Sequence, residues 1–138
     1  MERIIELFKE RNIRVTPQRV GVMQTLYPSQ EHLTVEGIHA KVKPQFPNIS
    51  LATVYTILEL FKEKKLVREI RVRFDRSLYE SRVDPHHHFH CTQCGQTYDV
   101  DIDLCPTLKK QRIDGHSIND FHGYFYGICR SCRKEKQC

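Results

Sequence analysis

The sequence predicts an α+β chain in two parts: helices closed by a β-hairpin, then a small α/β segment. Three observations predict it. Four runs of helical periodicity, three of them with N-terminal caps, are followed by two short β-like runs. After Asp84-Pro85 the composition turns to His, Cys and aromatics, and two Cys-x-x-Cys pairs stand in that second part. The boundary therefore falls between residues 1–83 and 84–138.

Ile4, Ile5, Leu7 and Phe8 mark a first short helix. Thr16-Pro17 supplies a cap and a proline at the first helical position for a second helix running to about Leu26, broken by Pro28 and Ser29. Thr34 caps a third helix carrying Val35, Ile38 and Val42, stopped by Pro44 and Pro47, and Ser50 caps a fourth from Leu51 to about Glu63. In that fourth helix Leu51, Val54, Leu58 and Phe61 form the stripe expected to be buried, leaving Thr53, Tyr55, Thr56, Glu59 and Lys62 outward. Strands are predicted over 66–74 and 78–83 round a turn Asp75-Arg76-Ser77. Helices followed by a basic hairpin make a winged helix-turn-helix domain. In the second part, strand-like runs cover 89–91, 96–102 and 124–128, with a helix predicted over Pro106 to Ile113.

With 138 residues, 39% hydrophobic and 28% charged, the chain reads as globular rather than disordered. No apolar run approaches the roughly 20 residues of a membrane span, and Met1 to Glu10 does not read as a signal peptide, so a cytoplasmic protein with reduced thiols is expected. Net charge is +5, and up to Leu78 there are 14 Lys and Arg against 9 Asp and Glu, whereas the remainder balances at 8 against 8. A basic first half suggests a polyanion partner; a merely solvated basic surface has the same charge.

Cys91-Thr92-Gln93-Cys94-Gly95 and Cys129-Arg130-Ser131-Cys132 each present two thiolates from one turn of chain. Cys91, Cys94, Cys129 and Cys132 together suit a closed tetrahedral site for structural Zn2+, which would staple a half too small for much apolar core. A thioredoxin-like redox pair is the competing reading, and the second matched pair weighs against it. A zinc deaminase would need H-x-E and P-C-x-x-C, and neither occurs. Cys105 and Cys138 remain outside the set.

In Pro85-His86-His87-His88-Phe89-His90, an extended chain puts His86 and His88 on one face. Along 96–103, Asp99, Asp101 and Asp103 face away from Tyr98, Val100 and Ile102. Imidazole with carboxylate suits Fe(II), Mn(II) or Zn(II). The plainer alternative is a solvated run of histidines.

Taken together, Arg14-Val15-Thr16-Pro17-Gln18-Arg19, Pro47-Asn48-Ile49-Ser50-Leu51-Ala52-Thr53-Val54-Tyr55, the His-x-His before Cys-x-x-Cys-Gly, and Tyr126-Gly127-Ile128-Cys129 resemble the ferric uptake regulator family over nearly the whole chain. The resemblance implies a homodimer that binds double-stranded operator DNA, with residues 84–138 as the dimerisation domain. It puts helix Leu51 to Glu63 in the major groove, Tyr55 near the bases and the hairpin on the backbone. The DNA-binding residues expected from it are Arg14, Arg19, Ser50, Thr53, Tyr55, Thr56, Arg71 and Arg73. It also implies a regulatory Fe2+ or Mn2+ site at His32, Glu80, His86, His88 and Asp99, one ion tying the halves together and selecting the DNA-competent shape.

Asp99 resembles the peroxide-sensing branch, in which iron-bound protein is oxidised at a ligating histidine, whereas Glu80 matches the iron-sensing pattern better. Pro85, His87 and Pro106 stand where a second metal site of some iron sensors would be, and His122 falls one place out of register. Thr56 fits neither branch. The expected function is a metal-dependent repressor responding to peroxide; the alternatives are a repressor sensing metal level and, more distantly, a hydrolytic metalloenzyme, for which no nucleophile or base stands out.

Overall fold

A computed structural model describes residues 1–27, 31–73, 75–84, 86–103, 111–119 and 121–135, with the side chains of Val72, Arg73 and Glu135 excepted. The chain divides into two compact units, Met1–Val83 and Asp84–Cys138.

The first unit holds α1 (Glu2–Glu10), α2 (Pro17–Leu26), α3 (Val35–Val42), α4 (Leu51–Glu63), β1 (Arg68–Arg73) and β2 (Arg76–Glu80). Helices α2 to α4 start where a side chain can take an orphan backbone N–H: Thr16 accepts from Arg19, Thr34 from Gly37, and Ser50 from Thr53. α2 buries Val20, Gly21, Val22, Met23 and Leu26, so its middle turns lie in the core while Gln18 and Gln24 stay exposed. Ile4 and Phe8 of α1, Ile38 and Val42 of α3, and Val54, Ile57, Leu58 and Phe61 of α4 complete one core. Phe8 and Phe61 meet at 5.4 Å between ring centroids. The expected stripe of α4 needs one correction. Leu51 is 42% exposed and Ile57 is buried in its stead, because the first turn of α4 projects past the core.

The hairpin also differs from expectation at its ends. Arg76 and Ser77 belong to β2 rather than to the turn, with Arg76 paired to Arg73. Ser77 Oγ donates to Glu69 Oε1 at 2.6 Å, which ties the two strands together at this end. β2 stops at Glu80, not Val83, since Ser81 Oγ donates to the carbonyl of Leu26 and draws the chain off the ladder.

The second unit is a three-stranded sheet in the order β4-β3-β7, from Thr97–Val100, His87–Cys91 and Tyr124–Gly127, with β3 antiparallel to β4 and parallel to β7. A small hairpin, β5 (Arg112–Ile113) and β6 (His116–Ser117), and helix α5 (Arg130–Glu135) complete it. The helix expected over Pro106 to Ile113 fails at its C-terminal end, where Arg112 and Ile113 are strand; residues 104–110, including Cys105, lie outside the described set, as do Pro28, Ser29 and Cys138. The cause is local. Asp114 and Gly115 take φ of 51° and 81°, the pair of left-handed conformations that a two-residue hairpin turn requires and that Asp-Gly adopts readily.

Candidate functional site

The four cysteines converge at one end of the sheet. Cys91 closes β3, Cys94 follows in a turn that Gly95 completes at φ 78°, Cys129 follows β7, and Cys132 lies on α5. Their ligand atoms all lie within 4.8 Å of one another, with Cys91 Sγ 3.9 Å from Cys132 Sγ and Cys94 Sγ 3.8 Å from Cys129 Sγ. Sulfurs at about 2.3 Å from a tetrahedral centre are about 3.8 Å apart, so the spacing is that of zinc ligation and not of disulfides.

Charge supports the same reading. Backbone N–H groups of Cys94 and Cys129 point at Cys91 Sγ and pull its thiol down to about 6. Burial, and then hydrogen bonding with Cys129, pushes the Cys132 thiol up to about 12. Four thiols this close together, three of them buried, cannot all ionise without a cation among them, and a dication reverses that penalty.

A second donor set lies on the same sheet. His88 stands directly opposite Asp99 across the β3–β4 ladder, and its Nε2 is 3.2 Å from Asp99 Oδ1. His86, two residues earlier on the same face, brings its Nε2 to 3.3 Å from the same oxygen. The far nitrogen of His86 is 2.7 Å from the carbonyl of Asp84. A carbonyl only accepts, so Nδ1–H donates to it, and Nε2 is the nitrogen turned on the carboxylate. An imidazole nitrogen and a carboxylate this close need a proton or a metal ion between them, and two imidazoles with a carboxylate are donors for Fe(II), Mn(II) or Zn(II). Asp101 and Asp103 lie beyond the end of β4 and are exposed, so of the three aspartates only Asp99 joins this cluster.

In the first unit, His32 Nε2 is 2.9 Å from Glu80 Oε2 with both side chains buried. A single antiparallel bridge positions them: Leu33 and Tyr79 exchange backbone hydrogen bonds, which sets the residue before Leu33 against the one after Tyr79. A one-pair bridge has no periodicity for a sequence to display.

On α4, Ala52, Tyr55 and Thr56 are exposed along one face, between a groove shared with Thr16, Gln18 and Arg19 and another shared with Arg71 and Arg76 of the hairpin. Arg14 is exposed, and its carbonyl accepts from the Arg19 guanidinium at 2.8 Å. The remaining polar groups have local partners as well. Ser50 Oγ meets Thr53 Oγ1 at 2.8 Å, and Thr56 Oγ1 donates to the Ala52 carbonyl. Glu59 and Lys62, expected on the outward polar face, are instead joined to the hairpin: Lys62 Nζ reaches Glu59 and Glu69, and the bond to Glu69 pushes its pKa up to about 12. The backbone of Arg73 ends β1, while its side chain is outside the described set. Among the described residues, no helix is long and apolar enough to cross a membrane.

His122 was missed as a partner of this cluster because its position was out of register. Its Nε2 lies 2.6 Å from His88 Nδ1. His86, His87, His88, His90 and His122, within or flanking one sheet, were the available signal, and the pairing of His88 with His122 depended on a parallel ladder between β3 and β7.

A winged helix joined to a sheet that carries two clusters of metal donors defines a class, the metalloregulators. The family model described as Ferric uptake regulator family matches residues 10–126, and the chain belongs to that family. The chain is 29% identical over 137 residues to the peroxide-responsive repressor PerR of Staphylococcus epidermidis, covering 98% of this chain and 91% of that protein. Among solved structures, PerR from Streptococcus pyogenes is 30% identical, covers 95% of this chain and 91% of that one, and superposes with a TM-score of 0.53. The ferric uptake regulator of Francisella tularensis with iron is 25% identical over 88% of this chain and 95% of that one, with a TM-score of 0.71.

Proposed function

We propose that this protein is a cytoplasmic, homodimeric repressor that grips operator DNA when a regulatory Fe2+ or Mn2+ is bound and lets go when peroxide reaches the iron form. The observation that carries this is the carboxylate of Asp99 set between the Nε2 atoms of two imidazoles, one of which is oriented by its own backbone contact. His86, His88 and Asp99 supply three ligands and His32 and Glu80 two more, while Cys91, Cys94, Cys129 and Cys132 hold structural Zn2+. The likeness to two PerR proteins favours peroxide over metal level as the signal.

The DNA side of the reading rests on the exposed face of α4. Ala52, Tyr55 and Thr56 meet the base edges, while Arg14, Arg19, Arg71 and Arg73 meet phosphates. Ser50 and Thr53 hold the start of the helix and can still present their oxygens to the backbone.

Fe(II) held by His86, His88 and Asp99 would supply one-electron cleavage of peroxide, the net change being one oxygen gained by an adjacent imidazole carbon in place of its hydrogen and the other released as water. The chain's own task is to keep His86 and His88 within reach and to exclude bulk water, which their burial does. The test uses anaerobically purified protein loaded with Fe(II) or Mn(II) on an operator fragment. Peroxide is expected to release DNA from the iron form only, and to add one oxygen to the peptide bearing His32 or the one bearing His86 and His88. Release by chelation with unmodified peptides after peroxide would make the protein a sensor of metal level.

A further inference from the structure

The two imidazoles beside Asp99 are anchored differently at their far nitrogens. His86 Nδ1 is held by a backbone carbonyl, an invariable acceptor. His88 Nδ1 instead faces His122 Nε2 at 2.6 Å. The ring centroids of His88 and His122 are 4.7 Å apart with a tilt of 30°, so these two rings meet tip to tip through those nitrogens and not face to face. His122 is in turn stacked on Tyr124, at 4.3 Å between centroids and 9° between planes, which fixes the orientation of its ring.

One reading of this contact is that His122 is itself a ligand. The distance argues against it: two nitrogens each about 2.1 Å from one ion, at tetrahedral or octahedral angles, are about 3 Å or more apart. His88 also turns its other nitrogen, not this one, toward Asp99. A separation of 2.6 Å needs a single proton between the two atoms. When His88 Nε2 binds a metal, the only proton left on that neutral ring is at Nδ1, and it must find an acceptor or be buried without one.

We propose that His122 is a positioning residue for the regulatory metal site: its Nε2 accepts the Nδ1–H of His88, and so presents His88 Nε2 to the ion. This rests on the assignment of His88 and Asp99 as ligands. Residues that orient ligating histidines in this manner are commonly carboxylates or carbonyls, and their loss weakens metal binding by roughly 10- to 100-fold. An imidazole in this place is a weaker acceptor than a carboxylate. It also tolerates either direction of the hydrogen bond, so His88 can donate from Nε2 to Asp99 before metal arrives and from Nδ1 to His122 afterwards.

The experiment compares Mn(II) affinity of the full-length, zinc-loaded protein with that of His122→Phe, which keeps a ring to stack on Tyr124 but has no acceptor, and of His122→Gln, whose amide oxygen replaces Nε2. Phe is expected to weaken Mn(II) binding by about 10- to 100-fold, and Gln to restore most of the loss. Wild-type affinity in the Phe variant, or equal loss in Phe and Gln, overturns the proposal. A second measurement does not depend on any variant folding: with diamagnetic Zn(II) in the regulatory site, imidazole 15N spectra should show His88 bound through Nε2 and protonated at Nδ1, and coordination through Nδ1 overturns it. Failure of the underlying assignment looks different, since His86→Ala and His88→Ala would then leave Mn(II) binding unchanged in a protein that binds it.

Discussion

The two units solve the same stability problem with different chemistry. The first buries Phe8, Phe61, Leu26, Leu58 and a dozen other apolar side chains in one contiguous core. In the second, the buried apolar cluster among the described residues consists of Cys91, Cys129 and Cys132, with Phe89, Tyr98 and Ile128 only partly covered. Apolar burial contributes about 25 cal/mol per Å² and accumulates over many residues, whereas four thiolates on one dication concentrate folding energy at a point. The difference has a functional side. A unit held by packing tolerates an exposed polar face for a partner, while a unit held by ligation has its sheet free to carry buried imidazoles that an ordinary core would reject.

That comparison can be broken most decisively at the cysteines. Cys91→Ser is expected to remove on the order of 10 kcal/mol of metal-linked folding energy. Limited proteolysis should then digest the second unit while α1 to α4 persist, and a second unit that stays protected without metal would end the comparison. The converse change is Phe61→Ala, at a fully buried ring packed on Phe8. It should cost about 3–5 kcal/mol, lower the denaturation midpoint of the first unit and leave the zinc content intact.

His86→Ala tests whether the buried imidazoles serve the fold or the metal. The variant is expected to retain zinc and secondary structure but lose Mn(II) affinity by more than about 100-fold, beyond what outer partners contribute, and with it metal-dependent DNA binding. Loss of structure in its place would make the histidines part of the core. The smallest effect is expected at Thr34, whose hydroxyl accepts from Gly37 N–H at 3.0 Å. Thr34→Ala should cost about 1 kcal/mol, measured by chemical denaturation, with no change in either metal.

Much of this was legible in local order of residues. Thr16-Pro17, Thr34 and Ser50 announce three helix starts because a cap is a contact between near neighbours. The spacing of the Cys-x-x-Cys pairs and the alternation that puts His86, just before β3, on the same face as His88 are likewise short-range properties. Asp114-Gly115 was an equally local signal and was overlooked in favour of a helix. Less visible was the outward face of α4, where Glu59 and Lys62 look like surface charges until Glu69 is found folded back against them.

The sequence by itself determined helices α1 to α4, the change of chemistry after Asp84, and the donor types at each cluster, since all of these depend on residues within a turn or two of one another. Only tertiary structure decided which donors meet. The Leu33–Tyr79 bridge that sets His32 against Glu80, the ladder that sets His88 against Asp99, and the parallel strand that delivers His122 are pairings between distant segments. Their register is selected by packing over the whole unit, and no periodicity in the chain encodes it.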